Sequence, residues 1–565
     1  MAESDPSESF DYVIVGAGTA GSILAARLTE DAGVTVCLLE AGGSDRSIWT
    51  RMPAALSIPM NMKRFDWGLY TEPEPHMNGR RVKLPRGKGL GGSSTINGMC
   101  YVRGNPLDYE GWVEQGAAGW GYADVLPYFK RAETFAGGAD DWRGGDGPLK
   151  TRRGTLTNPL CHAFMLAGAQ AGYPLSADMN GAQQEGFAPM DMTVHEGERC
   201  SLARAYLRPA MRRDALAVKM KAQAERILFD GRRAQAVSYR QGGRRRRASA
   251  RRAVILCAGA IMSPHLLKLS GVGPASELQA HEVSVVHHSP GVGENLTDHL
   301  EVYLQQACVQ PVSLSPALSL WGRAAVGIRW LSTRSGLGAS NHFEAGAFIR
   351  SRAGVRFPDI QYHFLPIAMS SDGKSFHKGH GFQVHVGPKR SKSRGWVRLN
   401  GPAPEAPPRV RFNYLSHDSD LEVFRACVRL TREIFAQPAF DPFRGGELSP
   451  GPDCVTDDAI DAFVRDKAES AYHPSATCRM GGAKDPRAVV SPELRVHGLE
   501  GLFIVDASVM PEATSGDLNA PTAMIAERAA DLLRGRPLPR EEGARFVATP
   551  TWREEQRPGA PLRRV

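Results

Sequence analysis

Glycines at 16, 18 and 21, in the run DYVIVGAGTAGSILAARLTEDAGVTVCLLEAGG from Asp11 to Gly43, have the spacing that holds a dinucleotide. Gly16 suits a tight turn, Gly18 lets backbone approach a pyrophosphate, and Gly21 lets a helix pack closely on the strand before it. Glu40 follows Gly21 by 19 residues, where this motif wants a carboxylate for the two hydroxyls of an adenosine ribose. The pattern predicts strands at 12–15 and 34–39 around a helix at 22–29, whose N-terminus offers unpaired N–H groups to the phosphates. Taken alone, the motif names a dinucleotide without choosing between NAD and FAD.

A second glycine cluster, RGKGLGGSSTINGMCYVRG from Arg86 to Gly104, is the densest in the chain. Glycine forfeits side-chain burial, so such a stretch is best explained as backbone lying against a ligand. The interleaved Leu90, Ile96 and Met99 set it apart from a flexible linker. Proton transfer at the same ligand calls for a group that titrates near working pH, and histidine is that group. Of the 16 histidines, His473 stands out because Pro474 restricts its backbone and the glycines at 481 and 482 follow closely.

The elements that must position these groups follow from pattern. At 565 residues the chain exceeds one ordinary core, and its 42% hydrophobic and 23% charged content is that of a soluble globular protein. The 252–258 run is continuously apolar, as in a buried parallel strand, and a short helix at 263–270 follows. Between about 301 and 461, alternating runs such as 360–365 and 383–386 suggest an antiparallel sheet with helices on one side. A strand at 502–505 and an amphipathic helix at 520–533 return to the nucleotide-binding style. The fold class expected is α/β: a Rossmann-like dinucleotide domain with an inserted α+β domain on an antiparallel sheet. The first domain is expected to be discontinuous, 8–160, 195–305 and 465–535, with the insert formed by 161–194 and 306–464.

The net charge of +9 is concentrated in Arg244–Arg252 (RRRRASARR) and in the tail beyond Arg534. The first is read as a solvated hairpin tip between strands at 234–239 and 253–257 rather than a nucleic-acid site. The second, residues 536–565, is rich in Pro, Arg and Glu and is expected to be poorly ordered. Nine cysteines without CxxC pairs argue for reduced thiols and against a structural metal. The N-terminus lacks the basic and apolar regions of a secretory signal, and no uncharged apolar run is long enough to span a bilayer, so a cytoplasmic protein is expected. Peripheral contact with the inner membrane through the basic stretches stays open.

Taken in order, the motifs resemble those of the glucose-methanol-choline (GMC) family of FAD-dependent alcohol oxidoreductases. The Arg86–Gly104 cluster is similar to the first family signature, and GAIMSPHLLKLSGVGP at 259–274 to the second. The resemblance continues through GVGENLTDHL, NHFEAGAFIR, PDIQYHFLP, AYHPSATCRMG and LFIVDASVMPEATSGDLNAPTAMIAERAADLL, and so covers about 11–533. Within the family, NHFEAGAF, RLTREIFAQPAFD and RGGELSPG are most similar to bacterial choline dehydrogenases.

This resemblance implies FAD, bound by Gly16, Gly18, Thr19, Ala20, Gly21, Glu40, Ala41, Arg86, Gly91, Gly92, Ser93, Asn97, Gly98, Ala224, Ala258, Asp506, Ala507, Asn519, Pro521 and Thr522. It also implies that His473 is the active-site histidine and that Asn519 occupies the second catalytic position. A small-molecule alcohol is the implied substrate, most naturally choline, oxidised to betaine aldehyde and on to glycine betaine. The alternative is an uncharged aliphatic or aromatic alcohol. Electrons then pass to a quinone of the respiratory chain or to oxygen. A quaternary ammonium needs aromatic faces and a countercharge, for which Trp67, Tyr472 and Glu344 are the candidates. Ile96 stands where related choline oxidases carry the histidine that tethers flavin, so the FAD is expected to be non-covalent. Ala476, where relatives carry cysteine or glycine, keeps that position small.

Overall fold

The computed structural model of the chain describes residues 8–370 and 373–558. Two large sheets organise it. In the first, the strand Glu8–Val15 runs parallel between Val36–Glu40 and Arg244–Leu256, pairing Val13 with Cys37 and with Val254. Leu216–Met220 extends the sheet beyond Val36–Glu40, and Leu502–Ile504 adds in parallel to the end of Arg244–Leu256. Where the three central strands run side by side, at 12–15, 36–39 and 253–256, they are apolar without alternation because both faces are covered. The helices Thr19–Leu28 and Asn519–Arg534 pack together on this sheet and share an ion pair, Arg27 to Glu527, at 2.9 Å. Residues 500 positions apart in sequence thereby become neighbours.

The turn after the first strand is sterically committed. Gly16 has φ +100°, and a Cβ there would lie 2.5 Å from the Cys257 carbonyl oxygen. Gly16→Ala is expected to lower stability by at least ~2 kcal/mol, the scale of one strained backbone site, and to reduce retained flavin. Thermal unfolding followed with the flavin-to-protein absorbance ratio measures both.

The arginine run is not a hairpin tip. Arg244–Leu256 is one strand of 13 residues, and the tip is Gly242–Gly243, both at positive φ. A two-residue hairpin turn needs that left-handed conformation, which glycine adopts without strain, whereas arginines fit the strand and alternate across it. The run is partly compensated locally: Arg245 shares Glu225 with Arg240 of the neighbouring strand at 2.6 and 2.8 Å, and Arg251 and Arg252 meet Asp11 at 2.9 and 3.3 Å.

The second sheet is antiparallel, in the order Arg444–Ser449, Leu300–Cys308, Gly381–Pro388, Ile360–Leu365, Ala345–Ile349, Gly186–Pro189. The division expected at 305/306 falls inside the Leu300–Cys308 strand, so that strand belongs whole to the second sheet. One face of this sheet is core: Val302, Tyr362, Phe364, Phe382 and Val384 pack with Phe424 and Leu430 of the helix Asp418–Phe435. The other face carries Glu301, Tyr303, His363 and His385, at the alternate positions of the same strands.

The tail also departs from expectation through residue 558. Leu538 N–H donates to the Tyr128 hydroxyl, Val547 N–H to the Ala182 carbonyl, and Arg557 is buried against Tyr173 and paired with Glu433 at 2.5 Å. Composition read it as disordered, but its polar groups find partners on the body of the protein. Residues 559–565, the end of that stretch, lie outside the described residues. All nine cysteines are free thiols. Among the described residues, no helix is long and apolar enough to cross a membrane.

Candidate active site

A cavity of about 360 Å³ runs from the glycine turn to the second sheet. Three helices, Thr19–Leu28, Gly259–Leu269 and Asn519–Arg534, begin at its wall; the first and last have no side-chain cap, whereas the Gly259 N–H of the second donates to Asp506 at 2.9 Å. Uncapped N-termini leave N–H groups and positive dipole ends for an anionic ligand. The two glycine clusters touch here: a Cβ on Gly92 would sit 2.7 Å from Gly18 Cα, and one on Gly87 would sit 2.1 Å from the Gly92 carbonyl oxygen. Only backbone this bare can bring both loops against one ligand.

Of the residues expected to hold FAD, Gly16, Gly18, Thr19, Ala20, Glu40, Ala41, Arg86, Gly92, Ser93, Asn97, Gly98, Ala224, Ala258, Asp506, Ala507, Asn519 and Thr522 line the cavity. Gly21, Gly91 and Pro521 stand behind the wall. Gly21 serves packing, since a Cβ there would meet the Gly16 carbonyl oxygen at 1.9 Å. The Glu40 carboxylate is fixed by the N–H groups of Ala17 (2.9 Å) and Gly42 (2.7 Å), and burial pushes its carboxyl above the usual range. Asn519 accepts the Thr19 hydroxyl proton at 2.8 Å, which ties the last helix to the first turn. These donors and this cradle fit FAD.

His473 is held from two distant parts of the chain and from within its own loop. Its N–H donates to Asp298 at 2.7 Å, the Arg86 guanidinium donates to the Tyr472 carbonyl at 2.7 Å, and Tyr472 N–H donates to the Ser470 hydroxyl at 2.8 Å. Tyr472 sits at φ +66°, a conformation these bonds maintain. The His473 ring lies between His299, with Nδ1 atoms 3.1 Å apart, and Asp517, whose Oδ1 is 3.3 Å from Nε2. Asp517 also reaches His363 at 3.4 Å. Burial alone would raise the Asp517 carboxyl, but His363 and His473 more than offset it and hold it well below the carboxylate range. Burial, with Lys389 and His473 nearby, pushes His299 well below the usual imidazole value, so it is neutral.

Beyond this group lies a second carboxylate, Glu301. His385 Nδ1 and the Tyr303 hydroxyl both contact its Oε1 at 3.2 Å, which leaves acceptor capacity on Oε2. Burial would raise its carboxyl, but His385, His363 and Lys389 reverse the effect and hold it at about 2. Aromatic rings surround it: Tyr303 stacks on His385 at 3.9 Å, and Phe343 meets His385 and His363 edge-on at 5.4 and 5.7 Å.

Trp67 and Tyr472 line the cavity as expected, with Lys88 Nζ 4.5 Å from the Trp67 ring centroid. Glu344 does not line it. Its carboxylate is turned away, accepting the hydroxyls of Ser340 (2.8 Å) and Thr155 (3.2 Å). Sequence reasoning missed Glu301, although it directly follows the DHL of a motif already singled out. It also missed Tyr303, His363 and His385, which stand opposite one another on three adjacent strands, a register invisible in the chain order. Cys100, His363 and Asp517 converge closely enough to hold a cation, but Asp517 is already shared by two histidines.

The GMC oxidoreductase family models match residues 10–301 and 391–526. An oxygen-dependent choline dehydrogenase from Brucella ovis is 52% identical over 548 residues, spanning 97% of this chain and all of the relative. Its counterpart from Pseudomonas savastanoi pv. phaseolicola is 54% identical over 564 residues, 98% of each chain. Among solved structures, pyridoxine 4-oxidase from Mesorbium loti superposes with a TM-score of 0.84 at 32% identity, covering 93% of this chain and 99% of its own. A formate oxidase variant from Aspergillus oryzae reaches 0.87 at 26% identity, covering 94% and 99%. The matched regions include both the glycine turn and the His473 loop that the cavity brings together, and on this ground the chain belongs to the GMC oxidoreductase family.

Proposed function

We propose that this protein oxidises choline to betaine aldehyde, with FAD as the bound electron acceptor. The observation that carries the choice of choline is Glu301, a buried, ionised carboxylate among aromatic rings, near His473. His299, Glu301 and Tyr303 alternate along one strand direction, so Glu301 stands one i,i+2 step, ~7 Å, from the residue that touches His473. That step suits a two-carbon amino alcohol, with its hydroxyl at His473 and its ammonium at Glu301. A quaternary ammonium has no N–H to donate, so it is recognised by charge and by ring faces, which Glu301, Tyr303, Phe343, Trp67 and Tyr472 supply.

What FAD supplies when bound is a two-electron acceptor for the hydride that leaves the carbinol carbon. His473 takes the hydroxyl proton. The proton arrives at Nε2, while neutral His299 at Nδ1 and the ionised Asp517 carboxylate close by stabilise the imidazolium that results. The 3.3 Å contact from His473 Nε2 to Asp517 is long for a charge-assisted bond, so an entering hydroxyl can displace it. Asn519, its amide fixed by Thr19, holds the alcohol oxygen. Ile96, packed with Met60 and Phe65, offers no nucleophile for a flavin linkage, and the FAD is held without a covalent bond there. Oxygen, the acceptor in the names of the curated relatives, is the acceptor we assign for reoxidation.

Anaerobic titration of the flavin absorbance is the test. Choline is expected to bleach it rapidly, and 3,3-dimethylbutan-1-ol, an uncharged analogue of the same shape, at a rate per concentration ~10²-fold lower. Equal bleaching by the two would favour an enzyme of uncharged alcohols.

A further inference from the structure

The helix Leu320–Thr333 carries its large apolar side chains outward. Leu320 and Trp321 are 79% and 83% exposed, Ile328 68% and Leu331 53%. At 3.6 residues per turn, these four fall within an arc of about 100°, a continuous apolar stripe. A helix packed on a globular body turns such a stripe inward, and here a single residue does so: Trp330 is buried with Met52 and Ala55 and donates its indole N–H to the Gly197 carbonyl at 2.7 Å. Arg323 and Arg329 are exposed on either side of the stripe, and neither meets a carboxylate among the described residues. The helix contains no acidic residue. In the 244–252 run that first suggested a basic surface, by contrast, Arg245, Arg251 and Arg252 each meet a carboxylate.

We propose that the Leu320–Thr333 helix is a docking surface for an anionic phospholipid bilayer. It lies in the interface plane, with the four apolar side chains among the acyl chains and the two arginines at the headgroups. The charge pattern selects this occupant: unpaired cations flanking an apolar stripe with no acid complement anionic lipid, and they repel a second copy of the same positively charged face. Through Trp330 the helix rests on Met52 and Ala55, in the segment whose Leu56 and Met60 line the cavity, so docking sets the active site beside the lipid surface. This surface is independent of the identity of the alcohol.

Co-sedimentation of the holoenzyme with vesicles tests the proposal. Vesicles of about one-third phosphatidylglycerol in phosphatidylcholine are expected to bind the native protein, and pure phosphatidylcholine to bind it at least ~10-fold more weakly. Combined Leu320→Ser, Trp321→Ser, Ile328→Ser and Leu331→Ser should abolish binding with turnover unchanged. Arg323→Gln with Arg329→Gln should remove only the preference for anionic lipid. As a check without multiple substitutions, brominated lipid should quench the fluorescence of the native protein and not that of Trp321→Phe to the same extent. No binding by the native protein, or binding that survives the four serines, overturns the proposal. So does a dimer in sedimentation velocity that the serines dissociate, which would make this face a contact between copies.

Discussion

Replacing His473 with alanine is expected to slow flavin reduction by choline ~10²- to 10⁴-fold while leaving the flavin bound, the range of a positioned acid–base group. The geometry separates the two effects. The His473 side chain meets His299 and Asp517, whereas the cofactor cradle rests on the glycine loops and three helix N-termini. Removing the imidazole therefore deletes the proton acceptor and leaves the cradle standing. Asp517 keeps its contact with His363 and stays compensated, so the fold is expected to tolerate the change. Stopped-flow bleaching under anaerobic conditions gives the rate, and the flavin absorbance of the purified variant gives the occupancy. Loss of flavin with the activity would make His473 a structural residue instead.

Glu301→Gln is expected to raise the choline KM ~10²-fold and to leave that of an uncharged alcohol within ~3-fold. A unit charge pair near 4 Å at an effective dielectric of 20 is worth about 4 kcal/mol, of which the remaining ring faces retain part. Glutamine keeps the shape and an acceptor for the Tyr303 hydroxyl, so the substitution removes charge with little change in packing. Glu344→Gln, by contrast, should leave choline kinetics nearly unchanged, because that carboxylate is turned to Ser340 and Thr155. The comparison decides between the two carboxylates in one set of steady-state measurements. The pH dependence follows from the same site. Glu301 is depressed from 4.5 to about 2 in the folded protein, so its stabilising contribution is complete above pH 4.5 and is lost as pH falls through about 2. Across neutral pH it stays ionised, and any inflection in choline binding there arises from other groups.

Much of this was legible in the chain. Gly16, Gly18, Gly21 and Glu40 specify a dinucleotide turn by local sterics alone, since each requirement lies within one strand–turn–helix unit. The apolar strands of the first sheet and the alternation of the second follow from burial on both faces and from division between core and cavity. That the second glycine cluster lies against a ligand was also readable, because glycine forfeits side-chain burial; that it meets the turn itself, Gly92 against Gly18, is decided by the fold. What failed did so for specific reasons. The arginine run read as a tip because nine residues rich in one charge look solvated, yet alternate strand positions and Glu225 accommodate them. The tail read as disordered because composition does not reveal partners such as Glu433 for Arg557.

By itself the sequence determined the fold class, the cofactor and the family, and it singled out His473 and Asn519, because these depend on local motifs in fixed order. The tertiary structure alone decided which carboxylate faces the cavity: Glu301 lines it and Glu344 does not. Glu344 and Glu301 are both buried acids on the second domain, and no local signal tells them apart. Register does: Tyr303, His385 and His363 stand abreast on three antiparallel strands, and Glu301 is the acid two residues from the first of them, on the same face. Strand pairing between residues 82 positions apart (Tyr303 with His385) and 22 apart (His385 with His363) set that face, and only the folded sheet contains the information.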